Sequence, residues 1–393
     1  MPNNQPPILL AYAFRPFFLL SAFYAAAAMA VWISAILGGP VLLPATLTPD
    51  WHAHELVYGF VGAAIAGFLL TAITNWTGSA PLAGTKLALL LLLWFAGRIA
   101  MAFNATLAPA VVALLDLSFL LALALYVALI LWRTKNRRNA PLVLVLLTLV
   151  AGNALMHAGW IQRSAELILL GRNLALDLIT VLMTIVAGRI TPAFSANWLR
   201  ARGETINTVA TPRLDQAAIG SVALMALCSL AGAAALVTGL IAITAGLLNA
   251  LRLYRWAGWR IRREPLLWIL HLAYGFIVAA LLARGLVLLD ILQAPSLWQH
   301  LIGAGAMGIL VLGVMTRVSM GHTGRPLALR PGGLVIYIAI IVAALLRVLV
   351  ALNTIDYQSG LLLSAGAWIV AFALFCIAYA PVLWSPRADG RPG

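Results

Sequence analysis

The stretch WHAHELVYGFVGAAIAGFLLTAITNWTG, residues 51–78, decides the fold. After Glu55 it carries no charged side chain, and a helix over 52–75 is long enough to cross a bilayer, which takes about 20 apolar residues. Its first turn is the anomaly. His52, His54 and Glu55 stand where a lipid-facing helix would carry leucine.

Outward from this stretch the pattern recurs along the whole chain. The 393 residues are 63% hydrophobic and 9% charged, with a mean hydropathy of +1.01. A soluble domain carries about 25% charged residues. The spacing predicts twelve membrane-spanning helices, at about 15–38, 52–75, 84–104, 108–132, 141–163, 167–190, 215–234, 236–254, 266–290, 297–319, 333–353 and 360–384. The longest polar stretch, Ser195 to Asp215, is too short to bury a core of its own, so residues 1–393 read as a single integral membrane domain of the all-α class. The amino terminus lacks the small-residue cleavage site of a secretory signal, and the first span is expected to be retained.

The charges test this map. If alternate loops are assigned to opposite sides, one side collects the termini with Arg15, Lys86, Arg133, Lys135, Arg137, Arg138, Arg189, Arg200, Arg202, Arg213, Arg252, Arg255, Arg260, Arg262, Arg263, Arg317, Arg325, Arg330, Arg387 and Arg391. The other side holds only Arg163. By the positive-inside rule both termini are cytoplasmic, and a wrong helix count would scramble the asymmetry. The net charge of +14 is therefore topological. With no aromatic-interleaved basic patch, it gives no reason to expect nucleic-acid binding.

Four arginines lie within spans: Arg98, Arg172, Arg284 and Arg347, each about six residues from the outer end of its helix. Such a position is roughly 9 Å deep at about 1.5 Å per residue. One reading is snorkelling to outer headgroups; the other is pairing with Asp116 and Asp177, or with an anionic ligand such as haem propionates. The histidines share the bias. His52, His54, His157 and His300 fall in the outer third with Glu55, while His271 lies in the inner part of its span and His322 in a cytoplasmic loop. Ionisable groups in a membrane mark functional sites by default. Neutral imidazole suits zinc, copper, non-haem iron and haem. A single histidine is equally at home in an interfacial hydrogen bond; the group favours a metal or haem site.

Small residues beneath His52 (Gly59, Ala63, Gly67) and near His300 (Gly303, Ala304, Gly305, Gly308) suit either a flat macrocycle or close helix packing. Asn153, one turn before His157, is placed to orient its ring. Cys228 and Cys376 are isolated, and C-x-x-C-H is absent, so any haem is non-covalent, of the b type. No phosphate-binding glycine pattern is present, which removes ATP hydrolysis and a bound nicotinamide from consideration.

Five blocks carry a wider resemblance: AFRPFFLLSAFYA (13–25), the 51–78 stretch, LWFAGRIAM (93–101), GRNLALDLITVLMTIVAGRITPAFSAN (171–197) and HLIGAGAMGILVLGVMTRVSMGHTGRPL (300–327). They closely resemble the NnrS family, from about residue 8 to 380. His157 in GNALMHAG and His271 in LHLAYGF also look like family positions. The resemblance implies a twelve-helix protein of the bacterial inner membrane, associated with haem and copper and with tolerance of nitric oxide.

Three functions are compatible with these residues. The first is nitric oxide reduction at a haem beside a second metal, copper or non-haem iron, which would hold two NO molecules in reach of each other. The metal ligands would come from His52, His54, Glu55, His157, His300, His271 and His322. His157 or His300 would take the haem, and Arg98, Arg172, Arg284 and Arg347 its propionates. Glu55 and His54 would be catalytic. The electron donor carries no recognisable motif. The second is a non-catalytic haem or copper protein that binds NO or protects metal pools. The third is a transporter, although no convincing inverted repeat is visible.

The opening turn can be read further. Thr48 is the expected N-cap, with Pro49 at the first helical position and Asp50 in the first turn. His52 and His54 then point about 200° apart around the axis, so they are not expected to chelate one ion. His52 shares a face with Glu55, whereas His54, stacked over Tyr58, is expected to serve another site or a supporting role.

Overall fold

A computed structural model describes residues 6–40, 43–204 and 211–391 of the chain. Residues 1–5 of the amino-terminal stretch and 205–210 of the polar connection lie outside these. Among the described residues there is no strand, and twelve helices are long and apolar enough to cross a membrane. They are α1 (Phe14–Ile36), α2 (Pro49–Thr77), α3 (Gly84–Ala102), α4 (Pro109–Arg133), α5 (Arg137–Gln162), α6 (Ala165–Arg200), α7 (Pro212–Leu230), α8 (Ala235–Arg255), α9 (Pro265–Leu288), α10 (Leu297–Gly321), α11 (Gly333–Ala351) and α12 (Tyr357–Trp384). Expected and observed spans coincide within four residues at every end but one.

The start of α2 shows why such ends are legible. The Thr48 side chain accepts a hydrogen bond from the Trp51 N–H at 3.1 Å, and Pro49 opens the helix. Proline there forfeits only a donor that has no partner in a first turn.

The exception is α6, which runs ten residues past the expected end at 190, through Pro192 to Arg200. Proline lacks the N–H that would bond the Gly188 carbonyl, and such a gap in a buried helix is costly. Arg252 closes it. Its guanidinium donates to the carbonyls of Thr184 (2.9 Å) and Gly188 (3.3 Å) and to the Tyr274 hydroxyl (2.9 Å), with Asp215 2.6 Å from its Nε. A Cβ on residue 188 would lie 2.2 Å from this guanidinium, so only glycine leaves the seat open. Gly188→Ala is expected to cost about 1–3 kcal/mol through overpacking. The measurement is the thermal inactivation midpoint in detergent; an unchanged midpoint would remove Arg252 from this role.

The chain divides into two compact units. The first comprises residues 1–175, 318–327 and 372–393, and the second residues 176–317 and 328–371. In the first, α2 packs on α1, α3 on α4, and α4 on α5. Phe17 and Phe18 of α1 lie against the bare backbone of Gly67, and Tyr24 against that of Gly59. The small-residue stripe of α2 thus serves helix packing, as close approach in a membrane requires. In the second unit α9 packs against α8 and against residues 301–307 of α10. There Gly305 receives Phe276 and Gly308 receives Trp368, whereas no atom stands within 4 Å of a Cβ built on Gly303. Outward-facing apolar side chains such as Leu89, Leu92, Phe95 and Ile99 of α3 are exposed, as lipid-facing positions are.

Candidate metal centre in the first unit

Polar side chains converge on one buried point of the first unit, and a break in helix geometry helps to bring them there. Within α2, residues Pro49–His54 are α-helical, Glu55–Val61 form a π-helix, and Gly62–Thr77 are α-helical again. π-Helical turns inside α-helices are rare and are frequently found at functional sites. The widened turn has carbonyls answered from outside: Trp94 Nε1 donates to Gly59 at 3.0 Å and Ser21 to Phe60 at 3.0 Å. The widening begins immediately after His54 and sets the Glu55 carboxylate against the His54 ring, 2.7 Å from Nδ1.

Around this pair stand Arg98 from α3, Asp116 from α4, and Asn153 and His157 from α5. Arg98 bridges the two carboxylates, donating to Glu55 through one terminal nitrogen and to Asp116 through the other. Gly97 permits this, because a Cβ there would meet the Asp116 backbone at 3.0 Å. The Tyr24 hydroxyl also donates to Glu55. Asp116 Oδ2 accepts from Asn153 Nδ2 at 2.7 Å and lies 3.0 Å from His157 Nε2 and 3.1 Å from His54 Nε2. Asn153 Oδ1 is 2.8 Å from that same His54 nitrogen. His54, Glu55 and Asn153 are wholly buried, and Asp116 and His157 are each 3% exposed. Trp160 walls the centre, its ring 5.3 Å from His54 and 5.2 Å from His157.

Proton counting exposes a tension. Both ring nitrogens of His54 face oxygens, yet a neutral imidazole has one N–H. If Nδ1–H donates to Glu55, the Nε2 lone pair faces the oxygens of Asp116 and Asn153. A second proton on the ring or a metal cation among those atoms removes the repulsion. With neutral imidazoles, Glu55, Asp116 and Arg98 sum to one negative charge, so a cation also moves the balance away from a buried negative excess. The separations suit a metal: bonds of about 2.0–2.1 Å at near-right or tetrahedral angles place neighbouring donor atoms about 3 Å apart. One ligand atom from each of His54, Asp116 and His157 lies within 4.8 Å of the others, and this is the one such group of three among the described residues. Glu55 then takes the place of the carboxylate that commonly fixes a ligating histidine from its far nitrogen. Two donors stay unanswered here, the Tyr58 hydroxyl and Arg98 Nε. A buried donor left so costs about 1–3 kcal/mol.

The remaining candidates lie elsewhere. His52 stacks on Trp32, ring centroids 5.0 Å apart and planes 15° apart. The two histidines of the opening turn do point to different places, but Glu55 goes with His54, not with His52. The His54 ring also packs on Tyr58, 4.9 Å between centroids. In the second unit, His271 Nδ1 is 3.2 Å from the Leu267 carbonyl, and its buried Nε2 has no hydrogen-bond partner. His300 Nδ1 is 2.7 Å from the Ser296 carbonyl, immediately before a second π-helix, Leu301–Met307. His322 lies beyond α10, its ring 5.7 Å from Phe14, and burial beside Arg387 holds it below its ordinary pKa.

Among the arginines, Arg98 is committed as above, Arg172 pairs with Asp50 at 2.6 Å, and Arg284 pairs with Asp177 and donates to Ser229 at 2.7 Å. Arg347 keeps a buried terminal nitrogen without a partner. Of the readings open for these four, pairing with Asp116 holds for Arg98 and pairing with Asp177 for Arg284, and Arg347 is the one of the four for which the described residues show no carboxylate.

The sequence marks Asp116 only as an arginine partner and Asn153 only as an aid to His157. Asp116 is the hub, and Asn153 serves His54. The available signal was depth, since a carboxylate in α4 level with intramembrane histidines is a ligand candidate. Tyr24, in an alanine-rich run, gave no signal.

No curated protein matches this chain. A family model described as NnrS protein matches residues 8–387, nearly the whole length. With twelve apolar spans and this match, the chain is a multi-pass membrane protein belonging to the NnrS family.

Proposed function

We propose that the protein binds a transition-metal ion at His54, Asp116 and His157 and uses it, with a non-covalent haem b, to handle nitric oxide at the bacterial inner membrane, with both termini cytoplasmic. The observation that carries the metal is the convergence of acceptor atoms on His54 Nε2. Nitric oxide, haem and copper enter through what the resemblance of the five sequence blocks implies. Two imidazoles and a carboxylate suit copper, zinc or non-haem iron.

Each side chain then has a task. His54 and His157 present ring nitrogens and Asp116 an oxygen. Glu55 orients His54, Arg98 limits the negative charge of the two carboxylates, and Asn153 fixes the placement of Asp116 and His54. Trp160 and the apolar helices exclude water, which strengthens every charge interaction in the centre. The fit to haem rests on the second unit, where His271 turns Nδ1 toward a backbone carbonyl and leaves Nε2 buried without a partner, the orientation of a ligating imidazole. His300 has the same carbonyl contact on Nδ1. Arg347, on the outer side like His300, keeps a buried terminal nitrogen without a partner and is the cation suited to a propionate of a haem at His300. When bound, haem would supply an iron at which NO can bind and a one-electron redox centre; the electrons themselves come from a separate partner.

The test is metal analysis and a visible spectrum of the purified protein, followed by anaerobic turnover of NO with a reductant. His157→Ala is expected to lose the non-haem metal and keep any haem absorption; retention of a full metal complement would overturn the assignment. A bound metal without NO consumption would leave a binding protein in place of a reductase.

A further inference from the structure

The Tyr58 hydroxyl is fully enclosed, yet it makes no hydrogen bond. Its ring packs on His54. Its oxygen borders Gly152, where a Cβ would stand 3.1 Å away, and Gly152 precedes Asn153 in the wall of the centre. The absent side chain at 152 admits the phenol oxygen to a seat that a Cβ would fill, bounded on its other side by the Gly171 carbonyl. Arg98 Nε is the other unanswered donor, but both terminal nitrogens of that guanidinium are committed to carboxylates. Tyr58 is thus the donor whose ring rests on a candidate ligand and whose hydroxyl has no other bond to keep.

Charge defines what it would donate to. Glu55, Asp116 and Arg98 sum to one negative charge, a divalent ion brings the centre to one positive charge, and one monoanion brings it to zero. Neutrality is favoured where the surroundings are apolar and dry. We infer that Tyr58 is the hydrogen-bond donor to a small, singly charged anion held on the metal at His54, Asp116 and His157. This inference rests on the metal reading above. The anion is of the hydroxide or azide class: few atoms, one negative charge, a lone pair left over for the phenol. Tyr58 is a positioning residue for that anion and not a ligand of the metal.

The experiment uses the full-length protein in detergent, loaded with cobalt(II) and titrated with azide. The visible cobalt bands report occupancy and the azide infrared stretch reports the hydrogen bond. In Tyr58→Phe, cobalt affinity is expected to be unchanged, azide affinity to fall about tenfold or more, as loss of a hydrogen bond to a charged acceptor implies, and the azide stretch to shift. A pH titration without azide forms the hydroxide arm, in which Tyr58→Phe is expected to raise the pH at which the cobalt bands change. Unchanged azide affinity and stretch in the variant would overturn the inference and leave the metal site standing. So would a loss of cobalt affinity, which would make Tyr58 a ligand or a structural prop. Failure of the unsubstituted protein to take up cobalt would overturn the metal reading, and this inference with it.

Discussion

Arg98→Met is expected to be the most damaging single substitution in the first unit. It removes the cation that touches both Glu55 and Asp116 and leaves two carboxylates enclosed together. Loss of one member of a buried charge pair costs about 3–5 kcal/mol, because the survivors keep their desolvation penalty without its compensation. Methionine retains most of the apolar stem, so lost packing contributes little. The expected result is a sharp fall in the yield of monodisperse protein in detergent. Adding Glu55→Gln restores the charge count of the unsubstituted centre and is expected to recover much of that yield. An Arg98→Met protein as stable as the parent would show that the bridge carries little energy. Failure of the second substitution to rescue would show that Arg98 matters by shape, not charge.

Asp116→Asn is expected to separate metal binding from folding. The amide has nearly the same shape, Arg98 keeps Glu55 as a partner, and the centre with neutral imidazoles becomes neutral. Stability is therefore expected to fall by no more than about 1–3 kcal/mol, the cost of the one buried donor, on Arg98 or Asn153, that the amide nitrogen cannot answer. Metal affinity is expected to fall by at least about 100-fold, since loss of an outer partner alone costs about 10–100-fold and Asp116 would be a direct donor. Competition with a chromogenic chelator measures it. Unchanged metal content in Asp116→Asn would sink the assignment, whatever the metal's identity.

Both substitutions fall on contacts between helices, which no single helix displays. The twelve spans were legible because membrane crossing is a local property: about 20 apolar residues, bounded by charges that respect one side, are readable without knowing any neighbour. The cap at Thr48 is equally local. The extension of α6 past Pro192 was not legible, because the group that answers the freed Gly188 carbonyl is Arg252, 64 residues away. The bias of histidines and arginines toward one depth was visible in the chain. What was not visible was that His54 and His157 meet at Asp116 while His52 turns to Trp32. A regular helix pairs His52 with Glu55 by their three-residue spacing. The π-helix that starts at Glu55 alters that geometry, and its seven residues contain no proline or other overt signal.

Sequence by itself determined that this is an all-helical membrane protein of the NnrS family, with histidines, a glutamate and arginines drawn into its spans. Hydrophobicity and charge act residue by residue, and a window of one helix contains them. Tertiary structure decided which of those residues form a centre: His54, Asp116 and His157, held by Glu55, Arg98 and Asn153. That choice turns on distances of about 3 Å between donors on three different helices. Such contacts depend on helix rotation, on a widened turn and on a missing Cβ at Gly97, none of which the pattern along one helix contains.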